Sequence, residues 1–173
     1  MPLNKIAVYP TLLSLESYNE TQRRSTLLSI YERDIFNNTS LKFRNKTVRP
    51  MKAVDSNDTK LTHFAHLTCK TSKDEDGIER RNCFDLQRSK RLHWVKYHIL
   101  ESSPSRIKVF NYMDRIRNRN YLRTYIYDES ESYIIILEPK RDTSEYMYII
   151  SAYYLDEPYA KKQIDQKYKK RLE

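Results

Sequence analysis

The sequence predicts an α+β domain in which helices pack on an antiparallel sheet. Three runs rich in β-branched and aromatic residues lie in succession at Tyr121–Asp128, Tyr133–Glu138 and Tyr146–Tyr154. Polar turn material at 129–132 and 139–144 separates them, the mark of consecutive antiparallel strands. Segments with helical spacing precede and follow them, giving the order helix, strand, helix, strands, helix. A chain of 173 residues suits one domain, 1–173, with a helical region over about 1–60 and a core over about 60–165.

Residues 1–13 read as a short lead-in, an edge strand or a loop. Ser17 and Glu20 then have capping-box spacing, and Leu27, Tyr31 and Ile35 recur at i, i+4, which predicts a helix to about Phe36. The polar run 37–40 stops it, and 41–60 reads as a basic, then polar, surface loop containing Pro50. In 61–68, Leu61, His63, Ala65 and Leu67 alternate with Thr62, Phe64, His66 and Thr68, which predicts a strand. Residues 70–81 read as an exposed loop around Gly77.

Asp85 is a good N-cap for a helix over 86–100, with Leu92, Val95 and Ile99 on one face. Ile107–Phe110 reads as a short strand and 115–120 as a basic loop. In the three-strand run, Tyr133–Glu138 is apolar on both faces and is expected to be central and covered on both sides. Glu157-Pro158 fits the first turn of a last helix, with Ala160, Ile164, Tyr168 and Leu172 as its stripe and lysines on its exposed side.

The net charge is +9, which favours a polyanionic partner, most simply nucleic acid. A single glycine rules out Gly-rich dinucleotide and phosphate loops. The two cysteines, Cys69 and Cys83, form no metal or redox motif, and a reducing cytoplasm fits them. No stretch approaches the roughly 20 apolar residues of a membrane span, and the start lacks the apolar core of a signal peptide. None of the four histidines has metal-ligand spacing, so neither metal nor cofactor is expected.

Three groups of residues could carry chemistry. His66 follows Phe64, and an imidazole can take or give a proton near neutrality; the bland reading is a structural histidine. Arg88 and Arg91, three apart, can hold a phosphate, with Arg81 and Lys96 nearby; the bland reading is a solvated helix face. Arg123, Ser151 and Tyr153 are polar exceptions within apolar strands; the bland reading is cross-strand packing. Arg115, Arg117, Arg119, Lys161 and Lys162 are further candidates for nucleic-acid contact.

The ordered blocks Phe64-Ala-His66-Leu, Arg81 to Asp85, Arg88-x-x-Arg91-Leu-x-Trp94, Arg123 with its Tyr-rich strand, Tyr133 to Leu137 and Ile149-Ile-Ser-Ala-Tyr153 resemble the phage-associated branch of the barnase–EndoU–colicin–RelE-like (BECR) nucleases. The resemblance covers roughly 60–165. It implies a BECR-like α+β fold and a metal-independent endoribonuclease, a toxin or phage-conflict effector, in which the ribose 2′-OH attacks the adjacent phosphate. It further implies His66 as an acid–base group, Arg88, Arg91 and Arg123 on the phosphate, and Tyr153 or Ser151 positioning it. Ser151 stands where the family pattern has a small polar residue in its last strand. The expected partners are RNA and an acidic inhibitor or antitoxin. The rival readings are a catalytically inactive nucleic-acid-binding module and an interaction protein whose basic surface meets an acidic partner.

Overall fold

Four consecutive isoleucine and leucine positions, Ile134 to Leu137, are almost wholly removed from solvent, and the domain is layered around the strand that carries them. The computed structural model describes residues 10–50, 59–100, 107–140 and 145–172. Its elements are α1 (Glu20–Tyr31), continued by a π-helical turn (Glu32–Phe36), then β1 (Lys42–Phe43), β2 (Lys46–Pro50), α2 (Thr59–Thr68), β3 (Cys69–Lys73) and β4 (Glu79–Phe84). There follow α3 (Leu86–Ser89), α4 (Trp94–Leu100), β5 (Ile107–Ile116), β6 (Arg119–Asp128), β7 (Tyr133–Pro139), β8 (Tyr146–Tyr154) and α5 (Pro158–Lys169).

Six strands form one sheet in the order β1-β2-β8-β7-β6-β5. Strands β5 to β8 are an antiparallel meander, as the three-run pattern predicts, and β7 lies inside it. The sheet is not wholly antiparallel, however: β2 joins β8 in parallel, Thr47 beside Tyr146 and Pro50 beside Ile149. Beyond Ile149, β2 has ended and α3 comes against β8 instead.

Each face has its own core. On one, Leu27, Tyr31, Phe64, Leu67, Val95 and Ile99 from the helices meet Ile126, Tyr133, Ile135, Leu137 and Ile149. On the other, Ile164, Ala160 and Tyr168 of α5 cover Phe110, Tyr125, Tyr127, Ile134 and Ile136. Fully burying one such aliphatic side chain stabilises by roughly 1.5–3 kcal/mol, so a strand lodged between two layers anchors both.

Several local expectations change. Residues 61–68 are helical, not a strand: Phe64, Leu67 and Thr68 fit a 3.6 period, and His63 Nε2 bonds the Ile149 carbonyl at 2.9 Å while Nδ1 meets the Tyr31 hydroxyl at 2.9 Å. The capping box is Asn19–Gln22, two positions later than the Ser17–Glu20 spacing suggests. The helix expected over 86–100 is broken between α3 and α4. Asp85 does cap α3, but Leu13 N takes the Lys90 carbonyl, His93 Nε2 bonds Thr11 O and Trp94 Nε1 bonds Pro10 O. Leu13 thus takes the Lys90 carbonyl that Trp94 N would meet in a continuous helix, and Trp94 N bonds Arg91 O instead.

The regions read as loops hold hairpins. Residues 70–81 lie largely in β3 and β4, with Gly77 at φ +75° in their turn. The basic segment 115–120 is the tip of β5–β6. Arg117 and Asn118 both have positive φ there, as Arg44 and Asn45 do between β1 and β2; this is the two-residue hairpin turn that matches strand twist. The N-terminal region is therefore not purely helical, and the stretch 51–58 of the predicted loop lies outside the described residues.

Candidate functional site

Hairpin β3–β4, the end of α2, α3 and the Ser151–Tyr154 end of β8 meet at one place. Asp85 accepts from Arg88 N at 3.0 Å, which fixes the first turn of α3 and the root of the Arg88 side chain. Arg88 Nη1 then donates to two carbonyls at the end of α2, His66 O at 3.0 Å and Cys69 O at 3.1 Å. The orphan carbonyls of a helix C-terminus are natural partners for a cation. Arg81, on β4, donates to the same Cys69 carbonyl at 3.2 Å. The Arg88 guanidinium also lies over the Tyr153 ring at 5.2 Å.

Two guanidinium groups therefore stand close together with modest counter-charge. Asp85 Oδ2 is 3.7 Å from Arg88 Nε, beyond hydrogen-bond length, and among the described residues that buried Nε has no hydrogen-bond partner. Burial and mutual repulsion lower the proton affinity of Arg81; burial lowers that of Arg88. His66 is pulled down to about 4, first by burial and then by Arg81 and Arg88. Its imidazole is thus neutral at physiological pH, and among the described residues it has no hydrogen-bond partner. Burial pushes the Tyr153 hydroxyl up, against the pull of Arg88, and it too makes no hydrogen bond among the described residues.

The other predicted residues are placed differently. Arg91 lies beyond the end of α3 and does not join Arg88: it reaches Tyr154, which faces the opposite way from Tyr153. Arg91 sits 4.0 Å from the centre of the Tyr154 ring and 5.5 Å from that of Trp94, with Nη1 held by the Gln87 carbonyl at 2.8 Å. It is 8 % exposed. Arg123 shares the Tyr153 face and is felt by that hydroxyl, but its charge is occupied: Nη1 lies 3.4 Å from Asp114 and Nε 3.3 Å from Glu138. Ser151 is half-buried on the same face, opposite Ile136.

Lys96 is brought elsewhere, 3.6 Å from the buried Asp34 within the π-helical turn. Arg115, Arg117 and Arg119 are exposed around the β5–β6 tip, and Lys161 and Lys162 lie on α5. Sequence reasoning missed one group altogether. Asp114 accepts from Lys167 Nζ at 2.6 Å and from the Tyr125 hydroxyl, and Lys167 donates to Tyr125 Oη at 2.8 Å. An acidic residue at an alternating position beyond Phe110 was the available signal; it was masked by ending that strand too early.

What remains together is His66, Arg81, Arg88 and Tyr153: a neutral proton acceptor, two cations and a hydroxyl, half-buried at a strand edge. Such a set can bind an anion and move a proton on it. Comparison with protein-family models, with curated proteins and with solved structures found no match to this chain. Among the described residues no helix is long and apolar enough to cross a membrane.

Proposed function

We propose that the chain is a metal-independent endoribonuclease acting on RNA in the cytoplasm, with the scissile phosphate seated between Arg81 and Arg88. The observation that carries this reading is the neutral imidazole of His66 lying in the field of those two arginines, with Tyr153 beside them. The order of motifs resembling BECR nucleases agrees with it. The basic surface also suits an acidic inhibitor protein.

The chemistry balances with these groups alone. His66 takes the proton of the ribose 2′-OH, and O2′ attacks phosphorus. The bond from phosphorus to O5′ breaks, and the leaving oxygen takes a proton from Tyr153. The products are a 2′,3′-cyclic phosphate and a 5′-OH. Arg81 and Arg88 stabilise charge on the phosphorane. A bound phosphate also offsets the two cations that add to burial in holding His66 down, so the substrate partly restores the base that acts on it.

The test is incubation of the purified protein with total RNA in EDTA, scoring cyclic-phosphate ends. Cleavage that is lost in His66→Ala supports the nuclease. One observation favours a silent nucleic-acid-binding module instead: Arg91 and Arg123 are held by internal partners. RNA binding without cleavage would decide for that reading.

A further inference from the structure

The register of β8 places a column of tyrosines on the face that carries Tyr153. Tyr148, Ser151 and Tyr153 stand opposite Glu138, Ile136 and Ile134 of β7, which share one face. The register irregularity next to Ile150 preserves that side for both halves of the strand. Tyr146 continues the column, and the exposed Arg49 of β2 lies over its ring at 4.2 Å. Arg49 is also the register partner of Tyr148. Helix α5 covers β5, β6 and the Ile134–Ile136 part of β7 on this face: Lys167 reaches Asp114 and Tyr125, Tyr168 packs on Phe110, and Ile164 joins Ile134 and Ile136. The rings of Tyr146 and Tyr148 are partly exposed, Tyr153 is partly exposed but packs against the cluster that holds Ile134 and Ile164, and the three hydroxyls make no hydrogen bond among the described residues.

We infer that this tyrosine column is a stacking platform for single-stranded RNA, running along β8 from the Arg81–Arg88 site toward Arg49. The inference rests on the nuclease reading and deepens it by naming the substrate form. Charge complementarity selects the occupant. Arg81 and Arg88 stand at one end of the column and Arg49 at the other, in a chain of net charge +9, so a polyanion is drawn to both ends. Aromatic rings between the cations select unpaired bases, because a base within a duplex has no free π-face to offer. The column from 146 to 153 is about 20 Å long at the rise of an extended strand, enough for several stacked bases. Arginine over tyrosine, seen at both ends, is the same cation–π geometry that lines single-strand grooves.

The experiment uses a fluorescein-labelled 2′-O-methyl RNA of about 10 nucleotides, within the range of single-strand site sizes, which cannot be cleaved by 2′-OH attack. Anisotropy is read against wild type, Tyr148→Leu, Tyr148→Phe and Arg49→Gln, each checked for folding by circular dichroism. Leucine keeps the apolar strand position and removes the stacking face; it should weaken binding about tenfold. Phenylalanine should retain wild-type affinity, and the same sequence as a duplex should bind at least about tenfold more weakly than the single strand. Equal binding by Tyr148→Leu, or by the duplex, overturns the platform. Because the probe is uncleavable, a wild-type protein that fails to cut RNA yet shows this pattern would sink the nuclease reading and leave the platform standing.

Discussion

The Arg88 guanidinium lies 5.2 Å from the centre of the Tyr153 ring while donating to the His66 and Cys69 carbonyls. One side chain thus ties α2, hairpin β3–β4 and β8 together at the place where the phosphate is proposed to sit.

Arg88 and Arg81 should therefore separate in their effects. Arg88→Ala removes two charged hydrogen bonds to part-buried carbonyls and should destabilise by roughly 3–6 kcal/mol. Arg81→Ala removes one and should cost roughly 1.5–3 kcal/mol. Both should weaken RNA binding. Urea unfolding and anisotropy, run side by side, check this; equal stability losses would mean the shared carbonyl contact is not what Arg88 adds.

His66 should titrate near 4 in the free protein. An imidazole proton followed by NMR should show it neutral from pH 8 to about 5. Replacing Arg81 with Gln should move its midpoint upward, toward the ordinary histidine value. Adding inorganic phosphate should do the same. A midpoint already near the ordinary value would remove the electrostatic coupling on which the site is built.

Stability should fall on acidification. Burial holds His63 at about 4 in the folded protein, below its ordinary value of 6.5. Between those pH values the unfolded chain takes up a proton that the native state refuses. The contribution is present above pH 6.5 and lost as the pH falls toward 4, amounting to about 3 kcal/mol. Urea midpoints at pH 7 and 4.5 measure the slope, and His63→Leu should reduce it, His66 contributing in the same window.

A second buried histidine is paired with a carboxylate. His98 Nδ1 donates to the Trp94 carbonyl at 3.0 Å, and Nε2 faces Asp128 Oδ2 at 3.2 Å, both side chains being shielded from water. Asp128→Ala would leave that imidazole without its carboxylate and should cost about 3–5 kcal/mol. A thermal melt showing no shift would mean the pair contributes nothing net.

The salt dependence of RNA binding should report the β5–β6 tip. Replacing Arg115, Arg117 and Arg119 together with alanine should reduce the slope of log affinity against log salt by about 2, at roughly 0.7 per phosphate contact. An unchanged slope would place the tip away from the RNA.

The meander β6–β8 was legible because its runs are long and sharply patterned. Ile134 to Leu137, apolar on both faces, announced a strand covered from both sides. Helix α2 was not legible: in eight residues, Leu61, His63, Ala65 and Leu67 satisfy a period of two, while Phe64, Leu67 and Thr68 satisfy a helical one. Tertiary contacts of His63 decide it. β2 carries one buried apolar residue, Val48, and exists because β8 offers it an edge. The break before α4 depends on Leu13 and its neighbours, which no local pattern reveals. Of the site, Arg81 and Arg88 beside His66 were foreseeable as residue types. That Arg91 turns away follows from the helix ending at Ser89.

The parallel pairing of β2 with β8 sets an order of assembly. Strands β5 to β8 meet through short reversals and can form early, whereas Thr47 must find Tyr146 across most of the chain. Closing so long a loop is slow, because its entropy is lost before the contact repays it. The elements carrying His66, Arg81 and Arg88 lie within that loop and reach Tyr153 only when β8 is in place. A chain still emerging from synthesis thus presents its cations first, and they stay unassembled until the last tyrosine strand arrives.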